Sequence, residues 1–166
     1  MTLIELMVTV SVLAVLAAVA APSFTPLMER WRVRSAAEDL QASIYFARSE
    51  AIKRGGGITI AAIDDDWSNG WEVVIPAPTS TPDPDPDPDP TPDAEQLQTG
   101  NVPAGLSISE GSATTSLSLD RWGSISPAAN FLLAPAGKDE EDASAVRLCV
   151  NSSGRILRVS GSSDCP

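Results

Sequence analysis

An uncharged, apolar stretch near the amino end constrains this chain more than any other feature. Residues 6–28 contain no acidic or basic side chain and are rich in Leu, Val and Ala. About 20 apolar residues are enough for a helix to cross the hydrocarbon core of a bilayer. A helix that is apolar on every side is difficult to bury in a single small domain. A secretory signal peptide begins with basic residues, whereas the charged side chain before this stretch is Glu5. The stretch therefore predicts a membrane-inserted helix.

Glu5 is the anomaly of this helix. A carboxylate in an apolar helix costs several kcal/mol unless it is paired, so an acid at such a place is a functional hypothesis. One interpretation pairs Glu5 with an α-amino group, either its own Met1 or the Met1 of a neighbouring copy. The other places Glu5 at the lipid headgroups, where its side chain reaches water. The residue alone leaves both interpretations open.

The next segment, residues 26–54, has the pattern of an amphipathic helix. Its apolar positions step by three and four residues and form one face: Val33, Ala37, Leu40, Ile44, Ala47 and Ala51. Three consecutive glycines, residues 55–57, are expected to end the helix. Together the two helical segments predict a spine about 80 Å long if it is unbroken.

The rest of the chain has the pattern of short β-strands. Apolar and β-branched runs alternate with turn sequences such as Asn69-Gly70 and Ser153-Gly154. The predicted strands are 58–63, 71–75, 115–119, 145–150 and 155–159. A helix followed by strands predicts an α+β fold in which the helix covers one face of a sheet. We expect Trp71, which begins an apolar strand, in the core, and Trp67 as an anchor of its loop.

Residues 76–93, the Asp-Pro tract, are the most unusual segment. The tract contains eight of the 14 prolines and five acidic residues. Alternating proline excludes a helix and a central strand, so we expect an extended, solvated insertion between two strands. A caged metal ion needs several oxygen ligands that converge, which an extended tract does not provide.

Composition excludes most catalytic chemistry. The chain has no histidine, which removes Ser-His-Asp and Cys-His nucleophile systems and zinc sites that contain histidine. Its two cysteines cannot build a four-cysteine metal site. We therefore predict no enzyme activity, no cofactor and no metal. In an oxidising compartment, a disulfide between Cys149 and Cys165 would tie the carboxyl-terminal tail to a strand.

The amino-terminal sequence resembles the mature start of type IV pilins and type II secretion pseudopilins. Residues 2–8, Thr-Leu-Ile-Glu-Leu-Met-Val, followed by the apolar helix, carry this resemblance. It implies that a prepilin peptidase removes a basic leader, that the new terminus is methylated, and that Glu5 aids subunit docking. Met1 stands where these proteins usually have phenylalanine. Pro22 matches a proline that is common in pilin helices, and we expect a kink or local unwinding near it.

Later motifs narrow the resemblance to the GspH/FimT family of minor pseudopilins and minor pilins. These motifs are residues 47–54, Trp67–Trp71, the strand around Leu148-Cys149, and Ser153-Gly154-Arg155. The resemblance covers nearly the whole chain and implies the pilin fold, a long helix packed on an antiparallel β-sheet domain. Its implied parts are a transmembrane and assembly half of the helix (1–24), an amphipathic half (25–54) and a β-rich head (55–166).

The resemblance also implies a location and partners. The chain would be a single-pass protein of a bacterial inner membrane with its head in the periplasm. It would then join other pilin or pseudopilin subunits in a periplasmic pseudopilus or a cell-surface pilus. The first functional interpretation is accordingly a minor structural subunit, and an alternative is the major subunit of a homopolymeric pilus.

A second alternative is a minor pilin that binds DNA for uptake. FimT-like proteins use basic residues near a carboxyl-terminal motif, and the matching candidates here are Arg147, Arg155 and Arg158. Strand alternation would put Arg155 and Arg158 on opposite faces. The net charge of −11 weakens attraction to phosphates, so the sequence does not favour a nucleic-acid partner.

Overall fold

The computed structural model describes residues 2–77 and 93–166, and within this part the side chains of 18–24 are left aside. A single helix, α1 (Leu3–Arg54), precedes all the strands. Gly55 ends it in a left-handed conformation at φ +83°, and its N–H donates a hydrogen bond to the carbonyl of Ala51. Glycine adopts this conformation without the steric cost of a Cβ, so the predicted helix end is confirmed.

Pro22 and Pro26 both lie within the bounds of α1, which is assigned as one continuous helix. A proline removes one backbone donor and crowds the preceding turn. The expected kink at Pro22 stays a prediction, because the side chain of this residue lies outside the described part of the chain.

Nine strands follow in the described part of the chain. They are β1 (Gly56–Ala62), β2 (Trp71–Ile75), β3 (Glu95–Gly100), β4 (Leu106–Glu110), β5 (Ser116–Asp120), β6 (Ile125–Ser126), β7 (Ala129–Pro135), β8 (Val146–Val150) and β9 (Ile156–Ser160). They form two sheets, with the strand orders β3-β2-β1-β5-β6 and β4-β7-β8-β9. Every pairing is antiparallel. The sequence predicted one sheet, whereas the helix packs against two.

The five predicted strands are confirmed within a residue or two of their bounds, as β1, β2, β5, β8 and β9. Four strands were not predicted: β3, β4, β6 and β7. The Asp-Pro tract falls between β2 and β3, as expected of an insertion between strands, and its residues 78–92 lie outside the described part.

The core lies between the amphipathic half of α1 and the two sheets. All six predicted apolar positions of the helix face are at most 1% exposed. Trp71 is fully buried, and its indole ring packs over Gly100, its neighbour across the β2–β3 pair. Trp67 is 4% exposed, and its Nε1 donates a 2.7 Å hydrogen bond to the carbonyl of Thr114. Both tryptophans therefore have the structural roles that the sequence predicted.

A disulfide joins Cys149 of β8 to Cys165 in the carboxyl-terminal tail, which confirms the predicted pair. The Cα atoms are 5.6 Å apart, within the range that the bond requires. The tail that follows β9 is thus tied to the neighbouring strand.

Candidate functional site

The first turn of α1 is held by a capping box formed by Thr2 and Glu5. The Thr2 hydroxyl accepts a 3.4 Å hydrogen bond from the Glu5 N–H, and the Glu5 carboxylate accepts a 3.3 Å bond from the Thr2 N–H. The Glu5 N–H also donates to the Thr2 carbonyl at 3.1 Å, whereas the Thr2 N–H is satisfied by the Glu5 carboxylate. Glu5 therefore has a local structural role besides the intersubunit pairing that the sequence suggested.

The amino-terminal half of α1 presents large apolar side chains with no cover. Ten of them between residues 3 and 16 are 54–78% exposed: Leu3, Ile4, Leu6, Met7, Val8, Val10, Val12, Leu13, Val15 and Leu16. Soluble monomers rarely leave a continuous apolar surface of this size open, so it marks a region that meets another apolar phase or molecule.

Within the residues that the structure describes, no helix carries an apolar stretch of the length that a bilayer requires. The predicted span includes positions 18–24, whose side chains lie outside the described part.

Ion pairs fasten the amphipathic half of α1 to the head. Lys138, in the loop after β7, lies 2.7 Å from Glu29 and 3.2 Å from Asp142. In a second ion pair, Arg158 lies 3.0 Å from Glu38, and Arg158 belongs to β9, the edge strand of the four-stranded sheet. The Lys138–Glu29 and Arg158–Glu38 contacts join residues more than 100 positions apart in the chain, so they report how the helix sits on the head.

Three groups have shifted pKa values: Lys138 and Asp142 at the first of these contacts, and Glu50 near the end of α1. Hydrogen bonds to Glu29 and then to Asp142 raise the pKa of Lys138 above its ordinary value. The backbone N–H of Ser144, followed by the amine of Lys138, lowers the pKa of Asp142. At the end of α1, hydrogen bonds from Lys53 and then Arg54 lower the pKa of Glu50. Each shift favours the charged form that makes the contact.

Arg147, the first of the three predicted DNA-contacting arginines, is engaged within the head. Its guanidinium donates to the carbonyl of Gly161 at 2.9 Å, to Asn130 Oδ1 at 3.2 Å, and to the carboxylate of Glu140. Its side chain is 12% exposed. Arg147 thus ties β8 to the tail after β9 and to the loop before β8.

The other two arginines lie apart from Arg147. Arg158 is opposite Leu148 in the β8–β9 register and turns toward α1, where it meets Glu38. Arg147 is opposite Val159, on the other face of this sheet. Arg155 is exposed and precedes β9. The structure therefore does not gather the three side chains into one cationic patch.

Three exposed aromatic side chains were not singled out from the sequence: Trp31, Tyr45 and Trp122. Trp122, in the turn between β5 and β6, is 78% exposed. The carboxylate of Asp120 fixes this turn by accepting hydrogen bonds from the N–H groups of Trp122 and Ser124, at 2.8 and 2.9 Å. An Asp followed three residues later by Gly is a turn signal that was available in the sequence.

Comparison with known proteins gives a consistent result. The sequence profile of a family described as type II transport protein GspH matches residues 36–154. The chain is similar to the type IV minor pilin FimU of Pseudomonas aeruginosa strain PAO1, with 27% identity, a TM-score of 0.60, and coverage of 82% of this chain and 95% of that one. A second crystal form of FimU gives 26% identity, a TM-score of 0.57 and coverage of 78% and 94%.

A third similar structure is the minor pseudopilin EpsH from the type 2 secretion system of Vibrio cholerae. It has a TM-score of 0.56 at 12% identity and covers 80% of this chain and 99% of that one. At this identity the likeness concerns the fold alone. No protein with a curated description matches the chain.

Proposed function

The chain belongs to the GspH family of type II transport proteins, and on that premise we propose that it is a minor pilin or pseudopilin that enters a filament through the amino-terminal half of α1 and Glu5. The family and the pilin fold are those of structural subunits. What we propose beyond the family is the surface of the chain that assembles and the kind of filament that it joins.

The observation that carries the proposal is the contrast between the two halves of α1. The second half buries its apolar face against the head, whereas ten large apolar side chains between residues 3 and 16 are 54–78% exposed. Packing these side chains against the same segment of neighbouring subunits would remove them from water at a gain of roughly 25 cal/mol per Å². An uncovered apolar surface along one helix suits a filament that is held together by packed helices.

Glu5 provides the polar contact within that apolar surface. One carboxylate oxygen accepts the Thr2 N–H, and the other has no hydrogen bond among the described residues. An apolar surrounding strengthens a charge–charge contact, so this second oxygen is suited to the Met1 ammonium of an adjacent subunit. The contact between Glu5 and Met1 would then set how far each helix is displaced along the filament axis from the helix beside it.

The location follows from the same segment. Before assembly the uncharged residues 6–28 would hold the chain in the bacterial inner membrane with its head in the periplasm. A prepilin peptidase would generate and methylate the terminus at Met1. After assembly the head would lie on the surface of a periplasmic pseudopilus or a cell-surface pilus.

Removing the charge of Glu5 tests the proposal. We expect Glu5→Gln and Glu5→Leu to reduce the chain in the sheared filament fraction at least several-fold while its total amount stays unchanged. The matched control is Glu141→Gln, which neutralises an exposed carboxylate on the head. Assembly of the Glu5 variants at the level of the control would refute the proposed role.

Two alternatives are separated by further readouts. Immunogold labelling along filaments distinguishes a major subunit, which repeats along the whole length, from a minor one. Nucleic-acid binding is less favoured, since Glu140 and Glu38 neutralise Arg147 and Arg158. A salt-sensitive mobility shift with DNA that Arg155→Ala abolishes would restore that alternative.

A further inference from the structure

A groove runs along the open edge of the four-stranded sheet, between β9 and α1. Two hollows of about 500 and 480 Å³ adjoin at Arg158, which lines both, and together they are called the α1–β9 groove. Strand β9 is the outermost strand, with β8 as its neighbour in the sheet. The groove is therefore a surface at which an extended chain segment can lie.

The two ends of the α1–β9 groove differ in chemistry. At one end Tyr45, 44% exposed, faces Ile156 across the groove. At the other end Arg30 and Arg34 are exposed, and neither makes an ion pair within the described part of the chain. The groove thus offers an aromatic ring and two guanidinium groups that lack a partner carboxylate.

Carboxylates near these arginines have other partners. Glu38 lies 3.0 Å from Arg158, Glu29 lies 2.7 Å from Lys138, and Glu140 contacts Arg147. Two cationic groups held 6 Å apart along a helix, at positions i and i+4, suit a ligand with regularly spaced anions.

The Asp-Pro tract of the chain has the complementary chemistry. Its central residues, 82–90, alternate proline with aspartate and carry four carboxylates. Proline-rich segments bind aromatic-lined grooves in the polyproline II form, which costs little conformational entropy because the form is already populated. Nine residues of polyproline II extend about 25 Å. Arg30 and Tyr45 are about 22 Å apart along α1 at its regular rise, so the lengths match.

We propose that the Asp-Pro tract of one subunit binds in the α1–β9 groove of another copy of this chain, with its prolines on Tyr45 and its aspartates on Arg30 and Arg34. The contact would add a head-to-tail linkage to the packing of the helices. It rests on the proposed filament function.

The length of the Asp-Pro tract favours binding to the groove of a second copy over binding to the groove of the same chain. The tract leaves the head beside the carboxyl end of α1, where Pro76 lies next to Gly57 and Ile58. Arg30 lies 24 residues before Arg54, about 36 Å back along the helix. The 15 residues between Ala77 and Asp93 reach about 25 Å out and back, which is too short to lie along this groove. A contact between the tract of one copy and the groove of another joins unlike surfaces, so it is not a symmetric pairing of two copies.

A labelled peptide tests the contact without requiring a filament. The probe is a peptide of residues 81–93, and the receptor is the full chain in detergent micelles with Asp83, Asp85, Asp87 and Asp89 each changed to Asn. We expect fluorescence anisotropy to show binding that weakens as salt is raised. Arg30→Glu with Arg34→Glu should weaken binding roughly tenfold or more, because two attractions become repulsions.

The matched control reverses two exposed arginines outside the groove, Arg121→Glu with Arg155→Glu, and should bind as the parent does. The inference is overturned if the peptide binds no better than its Asp→Asn counterpart, or if both double variants weaken binding equally. Circular dichroism confirms that each variant is folded. Because the assay reads the groove directly, its failure leaves helix-driven assembly standing, whereas loss of the Glu5 effect on filaments leaves peptide binding untouched.

Discussion

At the scale of single residues, polar groups in the head mainly form hydrogen bonds and ion pairs that hold loops and strands in place. Glu110 is an example: its carboxylate accepts hydrogen bonds from the N–H groups of Ser112, Thr114 and Asn130, at 2.8 to 3.0 Å. It thereby closes the turn after β4 and joins that turn to β7. Such contacts hold the loops of a small head without any catalytic arrangement.

The arginines near the carboxyl end provide a direct prediction. Arg147→Ala removes three hydrogen-bonded contacts of a side chain that is 12% exposed, and leaves Asn130 and the Gly161 carbonyl without this partner. We expect the free energy of unfolding to fall by about 1–3 kcal/mol. Arg155→Ala, at an exposed position, should change it by less than about 0.5 kcal/mol. Chemical denaturation of both variants measures the difference, and equal stabilities would contradict the fastening role of Arg147.

At the scale of elements, α1 joins two different kinds of surface in one helix. The second half of α1 was predictable because one face of the helix is buried, and this face repeats every three or four residues in the sequence. The six apolar positions at these steps are the ones that pack against the sheets. Its end was predictable because Gly55 takes a conformation that other residues avoid.

The strands that were not predicted depend on their partners. β3, with the sequence Glu-Gln-Leu-Gln-Thr-Gly, has one large apolar residue and exists because it pairs with β2 and lets Trp71 cover Gly100. β7 begins with alanine and ends with proline, two residues that are uncommon in strands, so its ends were not recognised from the sequence. The α1–β9 groove was also hidden, because Arg158 and Glu38 are 120 residues apart. The pattern of one sequence indicates which local structure a segment prefers, but it does not indicate which distant segment it will contact.

The link between α1 and the loop after β7 should depend on pH. The pKa of Asp142 is held below its ordinary value near 3.8 by the Ser144 N–H and by Lys138, so the stabilisation is present above that value. It is lost as the pH falls through the lowered pKa, where the folded-state carboxylate gains a proton. The protection of the Ser144 amide, which compares its exchange rate with that of an unfolded amide at the same pH, should therefore fall as the pH drops through the lowered pKa of Asp142. Asp142→Ala, which removes the oxygen that accepts the Ser144 N–H, should show fast exchange at neutral pH already. Slow exchange in this variant at neutral pH would contradict the linkage.

At the scale of the whole molecule, the chain is a head that supports a partly uncovered helix. The disulfide ties the tail to β8 within the head, and the ion pairs and the buried core hold the head against the second half of α1. The first half therefore extends from a stable base. Uncovered apolar surface of this size is stable in a filament or a membrane and unstable in water. The division of α1 into a packed and an unpacked half is thus the property that makes the chain suited to assembly.

Site-specific photo-cross-linking tests this central claim most directly. A photoreactive amino acid replaces Leu13, which is 64% exposed in the isolated subunit, and a control carries it at Ser116, an exposed position on β5 of the head. In isolated filaments we predict that position 13 cross-links to the amino-terminal helical residues of neighbouring subunits, whereas position 116 does not. Filaments in which position 13 yields no cross-link between subunits would contradict the account.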